Sequence, residues 1–338
     1  MKLDGNDPAD VARAAQRLAQ GELVAFPTET VYGLGADARN ATAVARIFAA
    51  KGRPADHPLI VHVAEARDTH HFAASVPPFA AALMQAFWPG PLTLILPRRE
   101  GVAAAAAGGQ ASIGLRCPSH PVAQALLRAC QATTPAVWGV AGPSANQFGR
   151  VSPTTADHVA GEFPDTLAVL DGGACTVGIE STIIDCTRGQ PVLLRPGMVS
   201  REQIAAVCGG VVRTQAEIAT EPLHATGVAP RASGTLDAHY APRAKVRLME
   251  ARALRTALRL LGADAHRIAV YARTPLPQLS PQVVVRAMPD DPGATAQQLF
   301  AVLRAFDDAD VALIWVETPP ATADWEGVSD RLRRAAAS

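Results

Sequence analysis

The sequence predicts a mixed α/β protein of two domains, and three observations carry this prediction. Short apolar runs alternate with segments whose apolar residues recur at helical spacing, a pattern typical of sheets covered by helices. The 338 residues are enough for two domains, and residues 213–244, which lack a sustained period, separate two such regions. The composition, 49% hydrophobic and 18% charged, is that of a folded globular chain.

The first region, residues 1–212, is predicted to be one mixed α/β domain. Gly21 ends the first predicted helix, and Gly52 with Pro54 ends the second, because glycine and a following proline are common helix stops. The alanine-rich stretch 101–109 is expected to be a mobile loop. The predicted helices are 8–20, 41–51, 77–88, 120–130 and one starting at 153, and the predicted strands are 23–27, 59–63, 92–97, 112–118, 136–140, 167–173, 181–187 and 191–197.

The second region, residues 245–338, is predicted to be a smaller α/β domain. Its elements follow the order β-α-β-β-α-β-α, which indicates a largely parallel sheet. The predicted strands are 246–250, 267–272, 282–288 and 311–317, and the predicted helices are 251–262, 293–308 and 328–337.

Composition and charge argue against several classes of protein. Lys plus Arg and Asp plus Glu are 31 each, so the chain lacks the basic excess of a dedicated nucleic-acid binder, although a local basic patch stays open. No apolar run is long enough to cross a bilayer, and the polar N-terminus differs from a secretory signal. The five scattered cysteines form no C-x-x-C pair, which favours reduced core thiols in the cytoplasm over disulfides or a zinc site.

Polar residues cluster in loops that follow apolar strands, and this is where open α/β sheets bind ligands. PTETVYGLG (27–35) offers two hydroxyls, the Glu29 carboxylate and two glycines after a strand, which suits a loop closing on a polar ligand. It is not the G-x-G-x-x-G dinucleotide motif. An ordinary capped turn explains it equally well. AGPSANQFGRVSP (141–153) could hold phosphate or ribose through Ser144, Asn146 and Ser152, or it could be a solvent loop.

Several cations also stand at the ends of predicted elements. Lys51 and Arg53 could bind a polyphosphate, but from the pair alone a helix end with dipole-compensating cations is the better explanation. A lone arginine at a strand end is usually a surface residue, but two of them, Arg116 and Arg195, each before or near a proline, favour carboxylate or phosphate recognition. His62 lies inside an apolar strand and is more typical of a core residue. No nucleophile triad, paired carboxylates or metal-ligand spacing is evident, so the pattern indicates a site that positions anions.

Seven motifs occur in this order along the chain: PTETVYGLG, KGRP with HPLIVH, PGPLTLIL, GLRCPSHP, PSAN, GIESTIID and LLRPG. Together they resemble the threonylcarbamoyl-AMP synthase family, whose catalytic domain is called YrdC-like. The resemblance covers about residues 8–205, and HYAP (239–242) with DRLRRA (330–335) is similar to the long form, which adds a C-terminal domain.

The resemblance implies a YrdC-like mixed twisted sheet with flanking helices, a linker (213–244) that closes over the active site, and a Rossmann-like C-terminal domain. It implies that L-threonine, bicarbonate and ATP give threonylcarbamoyl-AMP and pyrophosphate, for the modification of tRNA adenosine beside the anticodon. Mg²⁺ is expected with ATP, bound through phosphate and water rather than by protein side chains. Downstream tRNA threonylcarbamoyl-transfer proteins are the expected partners, and direct RNA binding stays undecided.

The resemblance also assigns residues to the two substrates. Lys51 and Arg53 are expected to be catalytic. The residues expected near ATP are Lys51, Arg53, His57, Ser112, Ser144, Asn146, Ser152, Arg195 and Tyr240. The residues expected around threonine are Thr30, His62, Arg116, Gly142 and Ser181.

Two departures and two alternatives accompany this reading. His57 stands where many long-form relatives have asparagine, and the linker segment ASGTLDAHYAP differs from the commoner pattern before its HYAP. An RNA-binding YrdC-like module would need a basic concave face. Another enzyme that handles a carbamoyl-adenylate or a sugar phosphate would not need Arg116, His62 and Ser181 to converge on an amino acid.

Overall fold

The computed structural model describes residues 1–219, 230–235, 238–276 and 280–338. Of the predicted linker, residues 220–229 and 236–237 therefore lie outside the described residues. The described strands form an eleven-stranded mixed sheet and a separate four-stranded sheet. The predicted fold class, a mixed α/β domain followed by a smaller α/β domain, is confirmed.

The larger domain combines parallel and antiparallel strands in the order β1-β8-β2-β3-β7-β4-β6-β5-β9-β10-β11. Its strands are Lys2–Asp4 (β1), Val24–Phe26 (β2), Gly33–Asp37 (β3), Ile60–His62 (β4), Leu92–Pro97 (β5), Ser112–Arg116 (β6), Val140–Ala141 (β7), Ala168–Asp171 (β8), Thr182–Asp185 (β9), Val192–Arg195 (β10) and Arg213–Thr214 (β11). Its helices are Pro8–Ala19 (α1), Ala41–Lys51 (α2), Pro78–Phe87 (α3), Pro121–Gln131 (α4), Ala156–Ala160 (α5), Arg201–Cys208 (α6) and Gln215–Ala219 (α7), with a 3₁₀ helix at Ala66–His71.

Apolar helices cover both faces of the larger sheet. Successive residues of β2 point to opposite faces: Phe26 belongs to the core under α1 and α4, whereas Ala25 belongs to the core under α2 and α3. Leu18 and Leu126 anchor the first pair of helices in this way. The polar loops at the strand ends are therefore held by a core on each side.

The smaller domain contains β12 (Lys245–Met249), α8 (Ala251–Leu261), β13 (Ile268–Ala272), β14 (Val284–Ala287), α9 (Pro292–Asp308), β15 (Leu313–Glu317) and α10 (Glu326–Ala336), with short 3₁₀ helices at Gly262–Asp264 and Ala323–Trp325. Its strands pair in parallel in the order β12-β15-β13-β14, as the element order predicts. Helices α9 and α10 pack against the larger domain, since Val31, Val151 and Ile179 belong to the same buried cluster as Phe300 and Leu332.

Some local predictions were wrong. Residues 33–35 were predicted as loop but begin β3, because the glycines there allow close packing against Phe26 and Val140. Strand β1 and helix α6 were not predicted. The loop at 101–109 was expected to be mobile, yet Ala103, Ala106 and Ala107 are buried in it and Ala106 O accepts a hydrogen bond from Leu59 N.

Two further observations bear on the sequence predictions. All five cysteines are free, and burial raises the pKa of Cys117 to about 11, as expected for unreactive core thiols. Within the described parts of the chain, no helix has the length and apolarity needed to cross a membrane.

Candidate active site

A cavity that is open to solvent, with about 630 Å³ of atom-free space, lies where strands β4 and β6 and the loops after β2, α2 and β7 meet the segments flanking β9 and β10. Linker residues Ser233, Gly234, His239 and Tyr240 form another part of its wall. The predicted site residues that line it are Thr30, Lys51, Arg53, His62, Arg116, Gly142, Ser144, Asn146, Ser181, Arg195 and Tyr240.

Three predicted residues do not line this cavity. His57 lines a neighbouring cavity of about 1340 Å³, and Ser112 lines a smaller one of about 280 Å³. Ser152 is buried behind the wall, where its hydroxyl donates to Glu180 Oε1 over 2.5 Å. Ser152 therefore contacts the cavity only indirectly, because it is hydrogen-bonded to Glu180, which lines the wall.

Lys51 fixes the loop that carries Ser144 and Asn146. It is the last residue of α2, and Gly52 ends the helix in the left-handed conformation with φ 60°. The ammonium, buried beneath the loop, donates to the backbone carbonyls of Ser144 and Asn146. Burial, and then repulsion by Arg53, lowers the pKa of Lys51 well below its usual range. Lys51 thus both positions the loop and adds positive charge to the wall.

Arg53 and Arg195 bring two guanidiniums to one side of the cavity. Arg53 Nη2 donates to Pro58 O over 3.2 Å, and its guanidinium lies 6.0 Å from the centre of the Phe148 ring. Arg195 donates from Nε to Ser181 O over 3.0 Å and from Nη1 to Ser233 O over 2.9 Å. Burial, together with repulsion from Arg195, lowers the pKa of Arg53 to about 10. Two like charges that repel each other in a poorly solvated wall favour an anionic ligand.

Unpartnered polar atoms surround the same cavity. Among the described residues, Arg53 Nε, Asn146 Oδ1, His239 Nδ1 and Tyr240 OH are buried and have no hydrogen-bond partner. Buried polar atoms are usually paired, so these atoms are suited to pair with a polar ligand in the cavity. Burial lowers the pKa of His239 to about 4 and raises that of Tyr240 to about 12, so both side chains are neutral near pH 7.

Arg116 forms a second cationic centre, buried with Glu29. Its Nη2 lies 2.6 Å from Glu29 Oε1, its Nη1 donates to Thr30 Oγ1 over 2.8 Å, and its Nε donates to Gly90 O over 3.3 Å. Glu29 Oε2 accepts from Ser119 N over 3.1 Å, which holds the carboxylate in place. A guanidinium has five N–H groups, so one on each terminal nitrogen is left for a ligand.

His62 lies beside Arg116 because the two residues pair across parallel strands β4 and β6. Its Nδ1 is 3.3 Å from Val140 O. Burial, with repulsion by Arg116, lowers its pKa to about 3, so the imidazole is neutral. With Nδ1 donating to Val140 O, Nε2 is a hydrogen-bond acceptor. His62, expected on strand pattern alone to be a core residue, is buried but also lines the cavity.

The sequence pattern indicated Glu29 only as part of a loop suited to a polar ligand, and it missed Glu180, Ser233, Gly234 and His239. Glu29 and Glu180 stand inside the quoted motifs PTETVYGLG and GIESTIID, but the motifs do not identify their arginine partners. The linker residues carry a weaker signal, the HYAP motif, because nothing local to Ser233 or Gly234 indicates contact with residues 38 or more positions away.

The charges of the wall are mostly positive. Lys51, Arg53, Arg116 and Arg195 face the cavity, whereas its one acid among the described lining residues, Glu180, is paired elsewhere. Within the described ranges, His, Cys, Asp and Glu form no group of three or more that could hold a metal ion. The arrangement therefore suits a polyanion and a carboxylate held side by side.

Comparisons with known proteins agree with this geometry. A Sua5/YciO/YrdC family profile, described as telomere recombination, matches residues 16–197, and a profile described as the threonylcarbamoyl-AMP synthase C-terminal domain matches residues 199–337. A threonylcarbamoyl-AMP synthase of Bacillus subtilis is 37% identical over 345 residues, covering 99% of this chain and 95% of the relative. One from Pyrococcus abyssi is 44% identical over 240 residues, covering 70% of this chain and 67% of the relative.

Solved structures show the same relationship. The crystal structure of P. abyssi Sua5 complexed with L-threonine superposes with a TM-score of 0.86 and 35% sequence identity. The match covers 99% of this chain and 97% of that one, so it includes both domains.

Proposed function

The chain belongs to the Sua5/YciO/YrdC family, with the C-terminal domain of the threonylcarbamoyl-AMP synthases, and on this premise we propose how its residues perform that synthesis. The enzyme is a nucleotidyltransferase that converts L-threonine, bicarbonate and ATP into threonylcarbamoyl-AMP and pyrophosphate. The product supplies the threonylcarbamoyl group for tRNA modification. The observation that carries the residue assignment is the convergence of Arg53, Arg116 and Arg195 on one cavity.

Threonine occupies the Arg116 half of the cavity. Its carboxylate accepts from the two N–H groups of Arg116 that Glu29, Thr30 and Gly90 leave available. Neutral His62 and the Ser181 hydroxyl, which lies 2.8 Å from Thr93 Oγ1, supply polar contacts for the amine or hydroxyl. Gly142 forms the wall beside His62, where a Cβ would lie 3.1 Å from Nδ1.

ATP occupies the Lys51 half. Lys51, Arg53 and Arg195 neutralise the triphosphate, while Ser144, Asn146 and Tyr240 contact its polar atoms. His57 and Ser152 have indirect roles at the edge of the ATP site. His57 lines the neighbouring cavity, and Ser152 holds Glu180 by a hydrogen bond. Ser112 lies in a third cavity, so a contact with ATP requires the nucleotide to extend past Ser233.

The chemistry follows from holding two anions together. The threonine amine takes up bicarbonate as a carbamate with loss of water. A carbamate oxygen then forms a bond to the α-phosphorus while the bond from that phosphorus to the β-phosphate oxygen breaks, and pyrophosphate leaves. Repulsion between the reactants is the main obstacle, and buried cations with fixed geometry lower it.

Mg²⁺ enters with ATP. The oxygens of Glu180, the acid in the described part of the wall, already accept from Ser152 and Arg331. These residues therefore fit a cation bound by phosphate oxygens and water better than a resident metal site. When bound, the ion offsets charge on the leaving pyrophosphate.

Of the predicted linker, residues 213–244, the first residues form β11 and α7 of the larger domain. Ser233, Gly234 and Tyr240 close the cavity between this catalytic domain and the C-terminal domain (245–338). The enzyme acts in the cytoplasm, where tRNA-modification proteins that consume the product are its partners. An RNA-binding role is disfavoured because Lys51, Arg116 and Arg195 are buried, beyond the reach of a polynucleotide backbone.

Pyrophosphate release tests the proposal directly. The full chain is supplied with ATP, Mg²⁺ and bicarbonate, and each amino acid is added in turn. We expect release with L-threonine and only background release with L-valine, which is isosteric but lacks the hydroxyl. Release that is indifferent to threonine, or to bicarbonate, would contradict the proposed reaction and favour another carbamoyl-adenylate enzyme.

A further inference from the structure

The C-terminal domain contributes a buried arginine to the loops that form the nucleotide half of the cavity. Arg331, on α10, is 1% exposed and does not line the cavity. We infer that Arg331 is a positioning residue for ATP, acting through Glu180 and Pro196; this inference rests on the proposed function and assigns a task to the C-terminal domain.

All three nitrogens of the Arg331 guanidinium are engaged. Nε donates to Glu180 Oε2 over 2.9 Å, and Nη2 donates to Glu180 O over 2.9 Å. Nη1 donates to Pro196 O over 2.7 Å and to Asp330 Oδ2 over 2.9 Å. A planar, multidentate donor fixes orientation as well as distance, which one ammonium group cannot do.

The two anchor points are the immediate neighbours of cavity residues. Glu180 precedes Ser181, whose backbone and hydroxyl both accept from Arg195, and Pro196 follows Arg195 itself. Arg331 therefore holds the segments at both ends of the Arg195–Ser181 contact. A shift of either anchor would move the Arg195 guanidinium relative to the triphosphate.

Arg331 also interacts with two other residues assigned to ATP, with Ser152 through Glu180 and with Tyr240 directly. Glu180 Oε1 accepts from the Ser152 hydroxyl, so one carboxylate joins Arg331 to Ser152. The Arg331 guanidinium lies 5.5 Å from the centre of the Tyr240 ring, within cation–π range. Burial lowers the pKa of Arg331, but Tyr240 first and then Glu180 and Asp330 raise it above its usual value. Arg331 is in turn the largest of the influences that lower the pKa of Glu180 against its burial.

Helices α9 and α10 of the C-terminal domain pack closely against the backbone of the Glu180 and Arg195 segments. Gly178, with φ 82°, lies so close to α9 that a Cβ there would be 2.4 Å from Ala296 O. Gly327, on α10, approaches Gly197, where a Cβ would be 3.0 Å from Gly197 O. Gly178 and Gly197 flank the Glu180 and Arg195 segments, so helices α9 and α10 pack closely beside both of them.

The test compares variants of the full chain by ATP and L-threonine affinity, measured calorimetrically, and by melting temperature. Arg331→Lys keeps the positive charge but loses the planar guanidinium with its several hydrogen-bond donors. Arg331→Met removes both the charge and the donors. Two controls lie on the same helix: Arg333→Met at an exposed position, and Glu326→Gln, which loses an ion pair to Arg201 (3.4 Å) away from the cavity.

We expect Arg331→Lys to fold and to bind ATP about tenfold more weakly, with threonine affinity within about twofold of the parent; Arg331→Met should lose more ATP affinity. The controls should leave both affinities unchanged. A folded Arg331→Lys with parental ATP affinity, or an equal loss for both substrates, would overturn the inference. A parent chain that releases no pyrophosphate with threonine would instead contradict the proposed function, and the two failures are thereby distinguished.

Discussion

Replacing Arg53 by methionine separates the contribution of this residue to ligand binding from its contribution to folding. In the unliganded protein the charge is unfavourable, because burial and Arg195 lower its pKa from 12.5 to about 10. At about 1.4 kcal/mol per pKa unit this corresponds to about 3 kcal/mol, which we reduce to about 2 kcal/mol because the side chain is only partly buried.

The contacts that Arg53 makes offset part of this cost. The hydrogen bond to Pro58 O and the stacking on Phe148 together contribute about 1–2 kcal/mol. The Arg53→Met variant should therefore have an unfolding free energy equal to that of the parent or about 1 kcal/mol higher. Its ATP affinity should fall about a hundredfold, since charge-assisted hydrogen bonds to phosphate contribute about 1.5–3 kcal/mol.

Urea denaturation without ligand and calorimetric titration with ATP measure the two quantities. Arg39→Met, at an exposed position, is the matched control and should change neither. A variant that loses more than about 1 kcal/mol of stability and still binds ATP like the parent would refute the reasoning, because Arg53 would then be a structural residue.

Three further changes test other parts of the site. Arg116→Lys should weaken threonine binding at least tenfold, with ATP affinity within about twofold, because an ammonium cannot pair both carboxylate oxygens while facing Glu29; equal effects on both substrates would contradict this. Asn146→Asp should raise the KM for ATP more than tenfold, because it places a negative charge at an unpartnered oxygen of the nucleotide half; an unchanged KM in steady-state assays would remove Asn146 from the site. The folded-state pKa of His62 is about 3 against 6.5, so the unfolded chain binds the extra proton in this window and stability is lost as pH falls through it. The urea-derived unfolding free energy should drop by up to about 1.4 kcal/mol per pH unit on account of His62, and His62→Gln should have a shallower slope; equal slopes would show that the imidazole is not neutral in the fold.

The parts of the fold that could be predicted depend on local pattern. The smaller domain follows its predicted element order because its strands and helices have locally recognisable patterns, such as the apolar run of β13 (IAVYA) and the apolar stripe of α8. Strand β3 was missed because its stability comes from pairing with β2 and β7, whereas its own sequence, GLGAD, is poor in strand-forming residues.

The site residues likewise include some that local motifs predict and others that only the completed fold brings together. The order of the motifs alone was enough to predict Lys51, Arg116 and Arg195 as residues of one site, and all three line the same cavity in the structure. The pairing of Arg116 with Glu29, and of Arg331 with Glu180 across 151 positions, could not be read from spacing. Both depend on burial, which makes each charge require a nearby partner, and burial is a property of the completed fold.

A crystal structure of the full chain with L-threonine and a non-hydrolysable ATP analogue tests the central claim most directly. We expect both ligands in the cavity of about 630 Å³, with the triphosphate within hydrogen-bond distance of Arg53 and Arg195 and the threonine carboxylate on Arg116. A nucleotide bound in a different cavity, or a threonine carboxylate out of contact with Arg116, would contradict the account.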